Sequence, residues 1–357
     1  MPGKHKSELS AASLVLMTLV VFIHAAAECV NGCDPASFPF LPAASAHRAA
    51  SFAVQGFLFL AGLKLTLRTS DGFSYSRYAR GRLLRIGLPY LAAFAAFYAV
   101  YALTGRLADP SPADFLTAFF TGGLTGHFYF VAVMAQFCLL VPLWRVLNRR
   151  AHPALLLFVS LMLTLVFMDH MPELVRLATG FRVELTRNAA LFTTYLFYWI
   201  AGMTAGSRYE AFAEFLDKQK RPLAVLWVLA VIADCALYIA IRRGTYYALW
   251  ADDFHLLTST LAILALLAHA RGLSPAAVSA SAPVDRASYL VYLWHPMVIL
   301  PLDAAMNRAG IRSLAVRFLI RFPLALLLTA ALCVLWQRLS TRVFGTVKKS
   351  GSAKPSI

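Results

Sequence analysis

Leu9–His24 reads LSAASLVLMTLVVFIH. The run is apolar for nearly its whole length, and an apolar run of about 20 residues is what a bilayer demands. It closes on an imidazole. A histidine inside such a run is costly to place, so it is a functional candidate by default. The stretch predicts a membrane-spanning helix with His24 near its far end.

The rest of the chain has the same character. Of its 357 residues 60% are hydrophobic and 14% charged, and the mean hydropathy is +0.66. So few charges cannot cover that much apolar surface in water. The expected fold is all-α, a polytopic membrane helix bundle of about ten transmembrane helices. The spans are 9–27, 48–67, 86–104, 127–147, 153–169, 189–206, 222–241, 254–270, 287–306 and 314–339. The fifth is short, and Pro296 and Pro301 interrupt the ninth. With the N-terminus inside, the inner segments collect about two thirds of the 33 Lys and Arg, which sets both termini in the cytoplasm. Arg308, Arg312, Arg317 and Arg321 run against that bias. Residues 1–344 form one membrane-embedded domain, and 345–357 a polar tail expected to be disordered. No cleavable leader is expected, because the first run is too long for one.

The net charge of +16 raises a nucleic-acid reading. It is set aside, because the basic residues sit in short clusters between apolar runs; the partner is the lipid bilayer. Cys138, Cys235 and Cys333 lie inside apolar runs and read as packing residues. Cys29 and Cys33 flank Asn31-Gly32 and pair only if that loop faces an oxidising space. Two thiols are too few for a metal, and no metal site is expected. DFLTAFF (114–120) and SRYEAFAEFLDKQKR (207–221) read as short helices lying along the membrane face.

Four clusters carry possible chemistry. His24 suits general-base work, although a histidine bonded to a neighbouring carbonyl fits the same spacing. Arg82 and Arg85 stand three apart where the third span begins and share a helix face. Two guanidinium forks there suit a phosphate-bearing ligand, and Arg77 and Arg80 beside them read as topological anchors. His127, Tyr129 and Gln136 open the fourth span; Tyr129 and Gln136, seven apart, share a face, while His127 also fits an interfacial role. Ser288, Tyr292 and His295 recur at i, i+4 and i+7, which puts a hydroxyl, a phenol and an imidazole on one face. Pro296 frees the Tyr292 carbonyl on that turn. Glu28, Asp169, His170 and Asp303 lie near span ends, where charges are usually solvated.

VVFIH (20–24), FLFLAG (57–62), RLLRIGLPY (82–90), GHFYFVAVMAQFCLLVP (126–142) and SYLVYLWHP (288–296), in that order and spacing, resemble the integral-membrane acyltransferase type 3 family. The resemblance touches spans one to four and nine. It implies a ten-span core in a bacterial cell membrane and transfer of an acyl group, commonly acetyl or succinyl, to a surface sugar or lipid-linked glycan. It maps the catalytic histidine onto His24, the donor-binding R-x-x-R onto Arg82 and Arg85, and a late histidine onto His295. It implies acyl-CoA, such as acetyl-CoA, as co-substrate, with no permanently bound cofactor. One departure stands out: the family's span-one arginine falls near Ser13, and no basic residue follows Lys6 in that span.

The reading that results is a membrane acyltransferase. Acyl-CoA rests its phosphates on Arg82 and Arg85 and brings its thioester toward His24. His24 deprotonates a glycan hydroxyl or carries the acyl group itself. His127, Tyr129, Gln136, Ser288, Tyr292 and His295 support the polar site. The alternative is a transporter or flippase of a glycan or small anionic metabolite, since many spans and broken helices describe transporters too. A non-catalytic relative is the third reading.

Overall fold

The structure, a computed structural model, describes residues 7–68, 72–108, 110–179 and 188–350. Lys4 and Lys6, used for orientation, lie outside them. The described residues are helical, with no strand among them. Eight helices are long and apolar enough to cross a membrane, and a ninth span is counted if one bent pair is taken together. The helices gather into two compact units, residues 1–50 with 272–357 and residues 51–271.

The first unit holds α1 (Ser7–Gly32), α2 (Phe40–Ala50), α14 (Pro275–Arg308) and α15 (Leu314–Ser350). α1 packs on the other three. Phe22 meets the edges of Phe318 and Phe322 at 5.5 and 5.4 Å, and Gly32 lets the Leu314 side chain come close. The stretch 28–47, read as a loop, is largely helical. Pro283, Pro296 and Pro301 sit inside α14 without ending it. α15 runs through Ser350, into the expected tail, with no proline after Pro323 to stop it; residues 351–357 lie outside the described set.

The second unit runs from α3 (Ala53–Arg68) through α4 (Tyr75–Arg82) and a π-helical turn (Leu83–Gly87) to α5 (Leu88–Leu103). Then come α6 (Pro112–Thr121), α7 (Tyr129–Leu139), α8 (Val141–Arg150) and α9 (Pro153–Ala178), with α10 (Leu196–Ser207), α11 (Tyr209–Lys218), α12 (Lys220–Arg242) and α13 (Ala251–Ala270) closing it. The expected fourth span breaks by 59° between α7 and α8. Pro142 cannot donate there. The carbonyls at the break are taken by side chains instead: Trp144 Nε1 donates to Phe137 O at 3.2 Å and the Tyr75 hydroxyl to Leu139 O at 3.2 Å. Such partners are what lets a broken helix persist in lipid.

The fifth span, expected to be short, is the 26-residue α9. The sixth is shorter than expected. Two 3-10 turns, Asn188–Ala190 and Phe192–Tyr195, lead into a 12-residue helix. α9 and α12 turn large apolar side chains such as Phe158, Met162, Leu229 and Ile232 outward, as lipid-facing spans do. Both short helices read from the sequence are present. α6 is capped by Ser111, whose Oγ accepts from Asp114 N at 3.1 Å. α11 is tied to the end of α13 by a two-point ion pair between Arg271 and Asp217, at 2.8 and 2.7 Å. That hydrogen bonding holds the Asp217 carboxyl below its ordinary range.

Candidate functional site

Each unit carries a polar constellation. In the first unit His24 on α1 faces His295 on α14, with ring centroids 5.0 Å apart. His295 is fully buried. Its Nδ1 lies 2.8 Å from Tyr292 O and 3.2 Å from Val291 O. Tyr292 O is the carbonyl that Pro296 leaves without its helical donor, so the proline and the histidine solve one problem together. An Nδ1–H donated to a carbonyl makes Nε2 the basic nitrogen of the neutral ring. Tyr292 is buried beside it, its ring 6.4 Å from that of His295. Ser288 turns its hydroxyl back onto Asp285 O at 2.7 Å, so it serves its own helix.

Beyond the histidines lies an ionic cluster that sequence reading missed. Arg317 and Arg321 of α15 are almost wholly buried. Arg321 Nε donates to Asp303 Oδ1 at 2.8 Å, Nη2 bridges Asp303 and Glu28, and Nη1 reaches Ala25 O at 3.2 Å. Arg317 Nε donates to Glu28 Oε2 at 3.0 Å, and its Nη1 to Asn307 Oδ1 at 2.6 Å. Glu28 and Asp303 are therefore not merely solvated ends. The two arginines broke the topological bias because part-buried carboxylates neutralise them. The signal was available: Arg317 and Arg321 are four apart on one face, and Glu28 is four after His24. Cys29 and Cys33 are free thiols, and Cys29 Sγ points at Leu314 O, 3.1 Å away.

In the second unit a cavity of about 350 Å³ opens among α3, α4 and the π-helical turn. Lys64, Arg68, Arg77, Arg82 and Arg85 line it, together with Phe73, Ser74 and Tyr78. Arg82 and Arg85 thus meet at one cavity, as their spacing predicts. Arg77, read as an anchor, joins them, and Arg80 does not line it. The geometry is local: Pro89 has no N–H, the preceding turn widens, and Leu88 N donates five residues back, to Leu83 O. The Arg82 guanidinium sits 5.0 Å from the Tyr78 ring centre and that of Arg145 4.1 Å from the Phe73 ring centre. Five basic side chains around one cavity suit a polyanion.

The remaining candidates of this unit make contacts within it. Gln136 Nε2 donates to Ala190 O at 2.8 Å, and Gln136 Oε1 accepts from Phe192 N at 3.0 Å. Tyr129 is hydrogen-bonded to Tyr195. Both therefore face residues 190–195, one face as the spacing of seven predicts, and brace the 3-10 turns before α10. His127 is buried. Its Nδ1 is 2.5 Å from the Thr125 hydroxyl and its ring packs on Phe128 and Phe97. Sequence reading also passed over the Asp234–His255 pair, 2.7 Å apart between α12 and α13. Among the described residues no group of three or more His, Cys, Asp or Glu is placed to hold a metal.

A family model described as an acyltransferase domain, of the type 3 class, matches residues 11–337. No curated protein and no solved structure matches the chain.

Proposed function

Since the chain belongs to the acyltransferase type 3 family, and is thereby a multi-pass membrane acyltransferase, we propose that it moves an acetyl or succinyl group from cytoplasmic acyl-CoA to a hydroxyl of a cell-surface or lipid-linked glycan. The observation that carries this reading is the His24–His295 pair within the helix bundle. The cavity lined by five basic side chains supports the donor: the CoA phosphates rest on Arg82 and Arg85.

His24 takes the proton of the acceptor hydroxyl as the oxygen attacks the thioester carbonyl carbon. The tetrahedral intermediate collapses, the C–S bond breaks, and the departing sulfur receives the proton that His24 took. Ester and free CoA are the products. His295, with Nδ1 turned to the backbone, presents Nε2 and orients or shares the proton on His24. The protein works in the bacterial cell membrane, with donor inside and acceptor outside.

Arg82→Gln is expected to raise KM for acetyl-CoA about tenfold, the loss of one charge-assisted hydrogen bond, with kcat little changed. Steady-state kinetics of CoA release checks it. The reading itself is tested by mass spectrometry of surface glycans and lipids from cells with and without the gene, alongside binding of labelled acetyl-CoA and succinyl-CoA to purified protein. An acyl increment lost on deletion, with saturable donor binding, is expected. Identical glycans and lipids with no donor binding would sink the reading in favour of transport or a non-catalytic role.

A further inference from the structure

Helix α15 turns one continuous stripe toward the part of α1 that carries His24. Phe318 and Phe322 grip Phe22, two residues before the histidine. Arg321, between them, donates to the carbonyl of Ala25, the residue after it. Arg317 and Arg321 both reach Glu28, one helical turn further on. The same two arginines hold α14. Arg321 takes Asp303, two turns beyond His295, and Arg317 takes Asn307, one turn further. The helices bearing the two imidazoles are thus tied to a common anchor just past the ring pair.

The anchor needs a planar fork. The three nitrogens of Arg321 serve three differently placed acceptors: Nε and Nη2 the Asp303 carboxylate, Nη2 also Glu28, and Nη1 a main-chain carbonyl. A lysine ammonium supplies the charge and three donors, but all from one nitrogen, without the planar fork that spans separate acceptors. Two cations and two carboxylates balance, so the cluster is not present for net charge. Each carboxylate serves both arginines, so removing one arginine leaves two carboxylates on a single cation.

We propose that Arg321, braced by Arg317, is a positioning residue for the reaction. It fixes the His24 end of α1 against α14 and so sets the approach of the His24 ring to His295. The inference rests on the reading of His24 as the general base. A displacement of about 1 Å at a reacting group lowers turnover strongly without weakening the binding of a substrate held elsewhere.

The test uses full-length protein in lipid nanodiscs: wild type, Arg321→Gln, Arg321→Lys and Glu28→Gln. One readout is CoA release from acetyl-CoA, with host membrane lipid-linked saccharides as acceptor. The other is the rate at which diethyl pyrocarbonate carbethoxylates His24, followed by peptide mass spectrometry against the exposed His152. Both Arg321 variants are expected to lose about tenfold or more in kcat, with KM for acetyl-CoA within about twofold of wild type. The His24:His152 modification ratio moves outside wild-type scatter in both. Full kcat in Arg321→Lys overturns the proposal, since charge alone would then suffice. An unchanged ratio in both variants overturns it too. Should the Arg321 variants not fold, Glu28→Gln decides: it keeps the side-chain volume but takes away the carboxylate through which both arginines hold α1, and an unchanged ratio there is equally fatal. If wild-type protein releases no CoA, the acyl-transfer reading has failed, and the modification ratio alone decides the positioning.

Discussion

His24→Ala is expected to lower acyl transfer about 10²- to 10⁴-fold, the range for removing a general base. The magnitude corresponds to roughly 3–5 kcal/mol of transition-state stabilisation. KM for acetyl-CoA should change little, because the cationic cavity is built from α3, α4 and the following turn. The measurement is CoA release by purified protein, with His24→Gln as a control that keeps volume and polarity. His295→Ala should lose less by itself. With ring centroids 5.0 Å apart, the two losses should fall well short of adding in the double variant, because the second removal acts on a proton path already broken. Wild-type turnover in His24→Ala protein of unchanged thermal stability would falsify the base assignment.

The parts of the site legible in the sequence are those whose logic is local. Arg82 and Arg85 share a helix face by spacing, and they line one cavity. Pro296 must strand the Tyr292 carbonyl, and the side chain of the residue before the proline collects it. The parts not legible depend on partners distant in the chain. Glu28 lies 289 and 293 residues from the two arginines that hold it. Nothing in a window of twenty residues separates a paired carboxylate from a solvated one, and the arginines register in the sequence only as exceptions to a charge rule. Gln136 illustrates the converse. Its face was legible, but its work was not, because a primary amide can orient a substrate or close two orphaned backbone groups equally well. Here it closes Ala190 O and Phe192 N.

The fold follows the same division. Long apolar runs gave the spanning helices, since length and hydropathy are properties of the run itself. Where a run contains a proline, the outcome depends on what neighbouring side chains offer. Pro142 breaks the fourth span, its carbonyls taken up by Trp144 and Tyr75. Pro296 and Pro301 lie inside a helix that continues. The shortness of α10 was also hidden. Its sequence is apolar enough for a full span, and the 3-10 turns before it persist because Gln136 and Tyr129 satisfy and pin them.

Gly202→Val is expected to abolish folding of the 51–271 unit. α3 and α10 cross with glycine against backbone in both directions. A Cβ on Gly202 would sit 2.0 Å from Phe59 O and 2.8 Å from Phe59 C, and one on Gly62 would sit 2.3 Å from Trp199 O. These are main-chain atoms, so no rotamer change relieves the clash and the helices themselves must part. In lipid there is little hydrophobic force to hold parted helices together; close packing of small residues is the attraction. Losing it around α10, which is buried on most sides, should cost more than about 4 kcal/mol, at the extreme of single substitutions. Gly202→Ala, which adds only the Cβ, should already be severe. Gly81→Ala is the contrast, since nothing lies within 4 Å of its added Cβ and a helical glycine gains up to about 1 kcal/mol as alanine. Yield of monodisperse protein and thermal unfolding in detergent separate the two. Because the clash is set by backbone alone, a Gly202→Val protein as stable as wild type would mean that α3 and α10 do not cross at these glycines.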